Sequence, residues 1–323
     1  MTKIAWLCSL PLLAVLVQGS VAADNYPSKA IKLVVPWPPG GASDQRSRQI
    51  ADKLAKAVGQ PVVVENRPGA SGAIGASAVA KAPADGYTFY YGNLYDLAIN
   101  PAVNPALGYD PARDFAPITQ SVLSYLVLVA RPGLGVKSMK DLIALAKANP
   151  GKLTCGSAGN GTAPHFALEM LKHSAGIEIT HIPFKGSGPL LVDLLGGHID
   201  VAFDVTNMAM PHIKAGKLVP LTVTSPKRLA PLSEVPTMTE VGFPELEITL
   251  WGGFLAPAGT PVPIIRRLNT ELVKAMNSPD IREQWESGGA LVVPGTPEEF
   301  AAFIQSEQTR WSRLIKRSGV KLE

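Results

Sequence analysis

Cysteine is nearly missing from this 323-residue chain: the two present are Cys8 and Cys155. Cys8 stands too close to the N-terminus for a lipoprotein cysteine and leaves with the segment around it if that segment is cleaved. Cys155 is then alone, which excludes an intrachain disulfide and any site built on paired cysteines. Long apolar runs are also missing. The stretch Ile4 to Val17 is too short and too polar on its far flank for a spanning helix, and no later segment matches it. The sequence has no H-E-x-x-H, no cysteine pairs and no EF-hand loop, so it offers no metal site, and nothing in it asks for a cofactor. No basic run of the nucleic-acid or membrane type occurs, because the 30 Lys and Arg and the 26 Asp and Glu are scattered. There is no repeat at solenoid spacing and no low-complexity tract.

What is present begins with an export signal. Lys3 supplies a positive n-region, Ile4 to Val17 the apolar stretch, and Val21, Ala22 and Ala23 the small residues of a cleavage site. Residues 1–23 are therefore expected to be removed, leaving a periplasmic chain. Without Lys3 its formal charge falls from +4 to +3. A mature chain of about 300 residues has core enough to be stable without disulfides.

Short β-branched runs then alternate with amphipathic helices, which predicts α/β layers over parallel sheets. The strand candidates are Ile31–Val35, Val62–Glu65, Thr88–Tyr91, Leu126–Ala130, Leu153–Gly156, Ile199–Phe203, Leu218–Thr224 and Ile248–Leu255. Ser138 and Asp141 open a helix at Met139, Ser278-Pro279 another, and Thr296 with Glu299 form a capping box before a third. The length predicts two domains. Apolar strands around Ser124–Arg131 and Thr249–Pro257 sit where the chain could cross between them. The expected division is a discontinuous first lobe (24–123 and 253–323) around a continuous second lobe (124–252).

Four loops carry the chemistry. Pro36–Asp44 follows the first strand and opens into a helix. Such a junction points free backbone N–H groups and the positive end of a helix dipole at whatever lies above the strand, which suits an anion. The plain alternative is an ordinary turn capped by Ser43. The run Gly69 to Gly75 has glycines at every third position. That matches neither a dinucleotide fingerprint nor a P-loop, so it reads either as a second helix N-terminus facing the cleft, with Ser71 as donor, or as close helix packing. Cys155 to His165 places Thr162 as an N-cap and Pro164 in the first helical turn. Its segment Cys155-Gly156-Ser157-Ala158-Gly159 nearly matches the hydrolase elbow but begins with Cys, and no His is spaced to serve Ser157. In Pro183 to Pro189, Lys185 could bring positive charge to the cleft. Asp204 ends a buried strand and could orient amides at the pocket or cap the next helix. Singly these are weak signals; their recurrence describes a hinged clamp that closes on a small anion.

The chain resembles the Bug-type periplasmic solute receptors of tripartite tricarboxylate transporters. The resemblance runs through Tyr26-Pro27, VVPWPPGGASD, ENRPGASGAIG, ADGYT, YGNLYD, CGSAGNGTAPHFALEML, IPFKGSGPLLVDLLGGHIDVAFD, VPTMTEVGF and WGGFLAPAGTP, in that order over the mature chain. It implies the type II periplasmic-binding fold: two α/β lobes, each a mostly parallel sheet flanked by helices, joined by two crossover strands. It implies capture of a small carboxylate (a dicarboxylate, an amino acid or an aromatic acid), no catalytic residue, and delivery to membrane transporter subunits. By motif, the carboxylate grip falls to Pro39, Gly40, Gly41, Ala42 and Asp44, with Ser71 and Gly72. The second lobe would add Ser157, Gly161, Thr162 and His165, with Lys185, Gly186 and Asp204 beside them. Asn93 and Tyr95 lie in the segment that varies most with ligand, and Trp37 stands where the family often has Phe. No arginine is recognisable as a clamp for the ligand's second group. Two other functions stay open: a sensor reporting the solute to a membrane kinase, and a hydrolase using Ser157. A monomer suits a shuttling receptor, and no nucleic acid is expected.

Overall fold

The computed structural model describes residues 26–104 and 107–318. The expected export signal, residues 1–23, lies outside them, as do residues 24 and 25 of the expected first lobe. In chain order the first five strands are β1 (Ile31–Val35), β2 (Val62–Asn66), β3 (Thr88–Asn93), β4 (Phe115–Ala130) and β5 (Thr154–Ser157). The others are β6 (Thr180–Pro183), β7 (Val201–Val205), β8 (Val219–Val223), β9 (Thr249–Pro257) and β10 (Leu291–Val292). The helices begin with α1 (Ala42–Val58), α2 (Ala73–Ala80), α3 (Asn100–Val103), α4 (Pro111–Asp114) and α5 (Met139–Ala148). They continue with α6 (Ala163–Ala175), α7 (Ser187–Leu195), α8 (Thr206–Lys214), α9 (Val262–Met276), α10 (Pro279–Glu286) and α11 (Pro297–Ser318). A π-helical turn, Tyr95–Ile99, runs into α3.

Two α/β sheets form two lobes. In the first, β2, β1 and β3 are parallel, with Leu33 opposite Val64 on one side and Phe89 on the other. Ile31, Leu33, Val34 and Val35 are buried, so β1 is covered on both faces, and its apolar run, interrupted only by Lys32, is what such a position requires. Burying one such side chain fully contributes about 1.5–3 kcal/mol. Helix α1 packs its Ile50, Ala51 and Leu54 stripe inward and stops at Gly59, left-handed at φ 70°. In the second sheet β6, β5 and β7 are parallel, and β4 runs antiparallel to β7 and β8.

The sheets share a strand. Residues 115–125 of β4 pair with β9, while its residues 126–130 pair with β7 and β8. The chain goes out along β4 and comes back along β9, so these two must run in opposite directions; this is why the centre is mixed rather than purely parallel. The return crossing is fastened at Thr224, whose hydroxyl accepts from Leu126 N–H (2.9 Å) and donates to Ile248 C=O (2.7 Å). Two strands are absent from the sequence reading: the edge strand β6, whose sequence Thr-His-Ile-Pro lacks an apolar pattern, and the two-residue β10.

Helix α11 opens on the expected capping box: Thr296 N–H donates to Glu299 Oε2, and Glu299 N–H to Thr296 Oγ1. It lies against β4, the π-helical turn and the other lobe's α6, where Trp311 meets Phe166 edge-on at 5.7 Å. Glu307, itself buried, accepts the indole N–H groups of both Trp251 (2.8 Å) and Trp311 (3.2 Å).

Candidate functional site

Each of the four loops closes a strand and opens a helix: after β1 into α1, β2 into α2, β5 into α6, and β6 into α7. The helix caps at these junctions are Gly41, Gly72, Thr162 and Gly186, and none accepts a side-chain cap bond. The first-turn N–H groups of a helix have no intrahelical partner, so those that no neighbouring side chain takes are left to attract an acceptor. The loops converge on a cavity of about 530 Å³ between the lobes. The facing loops come close. A β-carbon on Gly186 would stand 4.0 Å from Pro38, and one on Gly161 would stand 3.7 Å from the Ser71 hydroxyl.

Of the residues expected from sequence, Trp37, Pro39, Gly40, Gly41 and Ala42 of the first loop line the cavity, as do Ser71 and Gly72 of the second. Asn93, Tyr95, Thr162, Lys185 and Gly186 line it too. Ala70 and Ser71 are both left-handed, at φ 47° and 48°. Non-glycine residues avoid that region, and where they are held there strain clusters at functional sites. The twist brings Ser71 to the cavity, and Asn100 Nδ2 holds the loop by donating to Ser71 C=O (2.9 Å). Trp37 and Tyr95 lie ring to ring at 5.0 Å, and the Tyr95 hydroxyl crosses the cleft to accept from Ala163 N–H (2.9 Å) at the head of α6.

Asp44, Ser157, Gly161, His165 and Asp204 stand behind the wall. Asp44 accepts from Gly40 N–H (2.9 Å) and Asn66 Nδ2 (2.8 Å) and pairs with Arg48 (3.0 Å). Burial alone would raise its carboxyl, yet bonds from Arg48, Gly40 and Asn66 hold it below its ordinary value. It therefore stays ionised and locks the loop, and in doing so it uses the Gly40 N–H. Ser157 bonds to His181 Nε2 (2.7 Å), whose ring stacks flat on His165 at 4.0 Å. Burial, with His165 alongside, pushes His181 down to about 4, and burial lowers His165 as well. Two uncharged rings can stack where two cations could not. Gly161 is left-handed at φ 70° and gives its N–H to His165 Nδ1 (3.2 Å). Thr162 sits at the cap position of α6, but its hydroxyl donates back to Gly159 C=O (2.6 Å) instead of capping. Asp204 does not cap α8 either; it accepts from Ser187 Oγ (2.5 Å) and Val205 N–H (2.8 Å). Burial raises its carboxyl to about 7.

Tyr91 and Trp251, whose aromatic rings made them candidates for the cleft, line it as well, and the wall also carries residues that the sequence reading passed over: Arg46, Ser124, Asn160 and Ser187. Arg46 was legible. It lies four residues before Ile50 and eight before Leu54, an arginine on the apolar stripe of its own helix. Among the described residues no Asp or Glu lines the cavity, and the charged residues on its wall are Arg46 and Lys185. Ser157, whose hydroxyl meets His181, is fully buried and off the wall.

A family model described as "Tripartite tricarboxylate transporter family receptor" matches residues 47–320. Protein BugT of Bordetella pertussis is 39% identical over 310 residues, 95% of this chain and 94% of that protein. The structure of R. palustris Rpa4515 with adipate superposes with a TM-score of 0.86 at 38% identity, covering 91% of this chain and 98% of the other. That of MatC from Rhodopseudomonas palustris with bound malate gives 0.83 at 31%, covering 90% and 100%. The chain belongs to the tripartite tricarboxylate transporter receptor family, whose members are solute-binding receptors.

Proposed function

We propose that this receptor, exported by residues 1–23 to the periplasm, captures a small organic acid between its lobes and hands it to membrane transporter subunits as a monomer, without a chemical step. The reading takes 24–123 with 253–323 as one lobe and 124–252 as the other. The observation that carries it is the wall itself: four helix N-termini whose own cap residues make no side-chain cap bond, two cations and, among the described residues, no carboxylate around about 530 Å³. Relatives whose structures hold adipate and malate support an acid as ligand. Each hydrogen bond from an N–H to a carboxylate contributes about 1.5–3 kcal/mol, so a few suffice for micromolar binding.

The test is a thermal-shift screen of refolded, ligand-stripped protein against mono-, di- and tricarboxylates and amino acids. A ligand of the native state at 100 times its Kd stabilises by about 2.7 kcal/mol, so a carboxylate is expected to raise Tm by a few degrees. No rise with any carboxylate would remove the anion reading. Ser157→Ala is expected to weaken binding at most several-fold; a turnover activity abolished by that change would establish the hydrolase instead.

A further inference from the structure

We propose that Arg46 sets the ligand specificity of this receptor: it takes a second anionic group and so selects diacids that carry no amino group. The proposal rests on the carboxylate-receptor reading above and names the class of acid. Arg46 is buried, 7% exposed, and lines the cavity one helical turn beyond the head of α1, about 6 Å along the axis. Its guanidinium lies over the Trp285 ring at 5.7 Å, and Nη2 reaches Asn207 Oδ1 at a long 3.4 Å. A guanidinium has five N–H donors, so that contact leaves most of them uncommitted.

Among the described residues no carboxylate pairs with it. Arg48, Arg67, Arg113, Arg131, Arg228, Arg282 and Arg310 each have an acidic partner. A charge buried without a counterion is expensive, and the planar fork of arginine matches a carboxylate bidentately. A second orphan stands on the same wall. The Ser124 hydroxyl, on the crossing strand and 2% exposed, has no hydrogen-bond partner. Its O–H is a second uncommitted donor that the cavity offers to an anionic ligand. Asn207 belongs to α8 in the other lobe, so the weak Arg46–Asn207 contact also joins the two sides of the cleft.

The missing carboxylates on the wall decide the rest. An α-ammonium would enter a cavity holding Arg46 and Lys185 with no Asp or Glu to receive it. The charge pattern that attracts a dianion therefore rejects an amino acid of the same length.

The test is calorimetric titration of the ligand-stripped protein with length-matched probes: glutarate against pentanoate, adipate against hexanoate, and glutarate against glutamate. Wild type is expected to bind at least one diacid about tenfold or more tightly than its monoacid, and glutarate about tenfold or more tightly than glutamate. Arg46→Met is expected to bring diacid and monoacid within about threefold by lowering the diacid affinity. An unchanged ratio in Arg46→Met, or a wild type that prefers the monoacids or glutamate, overturns the proposal and leaves the receptor reading standing. A wild type that binds none of the probes and no acid of the wider screen removes both. If circular dichroism shows Arg46→Met unfolded, Arg46→Gln, which keeps a donor for Asn207, carries the same comparison.

Discussion

Asp96 shows how far a residue's chemistry can depart from its type. It is fully buried, accepts from Asn93 N–H through Oδ1 (3.0 Å), and leaves Oδ2 without a partner. Burial pushes its carboxyl up to about 8, so the folded chain keeps a proton that the unfolded chain releases near pH 4. With more protons bound in the folded state, stability must fall as pH rises from about 4 to about 8. Asp96→Asn removes that dependence. Its stability relative to wild type, from urea unfolding at pH 5 and pH 8, is expected to grow by at least about 1 kcal/mol at the higher pH. Parallel pH curves would mean that the carboxyl is not protonated in the fold. His181 acts in the opposite sense. Its depressed pKa of about 4 means stability present above pH 6.5 and lost as pH falls toward 4. Comparing variant with wild type at each pH cancels that contribution. Nothing in the sequence around Asp96 announces its state, because burial is a property of the surrounding π-helical turn rather than of the residue.

At the level of elements, the loop-to-helix junctions were the readable part. Gly, Pro and the cap residues punctuate the chain locally, so Ile31–Val35 and Met139–Ala148 fall where the pattern put them. The capping contact between Ser138 Oγ and Asp141 N–H (3.2 Å) is also the one expected. The first half of β4 escaped because Phe115–Tyr125 mixes polar residues with apolar ones and carries two register shifts against β9. Which junction residues touch the cavity was half legible. Glycines had to be at the surface of the cleft, but Asp44 and Asp204 turned inward to hold the loops, a choice made by partners distant in sequence such as Asn66 and Ser187. The packing of the first two junctions is tight enough to test. A β-carbon on Gly75 would stand 2.7 Å from Pro36 Cβ and 2.9 Å from Arg67 C=O. Gly75→Ala is therefore expected to destabilise by about 1–3 kcal/mol and to weaken binding of any carboxylate that stabilises the wild type. Thermal unfolding and titration of the variant check both. Full stability would show that α2 can shift freely against the first loop.

The whole molecule is held together by more than its crossings. Helix α11 touches both lobes, and Trp311 at its far end is buried against Phe166 while sharing Glu307 with Trp251. Trp311→Ala is expected to cost about 3–5 kcal/mol, with unfolding still a single transition because the helix belongs to both halves. Two separated transitions would mean that the lobes unfold independently and that α11 is a passive cover. The layered α/β order was plain from the alternation of runs, whereas this long-range fastening depends on contacts between residues more than a hundred positions apart. Strand β4 adds a mechanical consequence. Sixteen residues serve as a structural member of both sheets, anchored by ladders along their length and without a loop at the joint. Turning one sheet against the other is then torsion spread along a bar, not folding at a pin. Any displacement of the halves loads that bar elastically, and the restoring torque returns them to the same angle when the load is released.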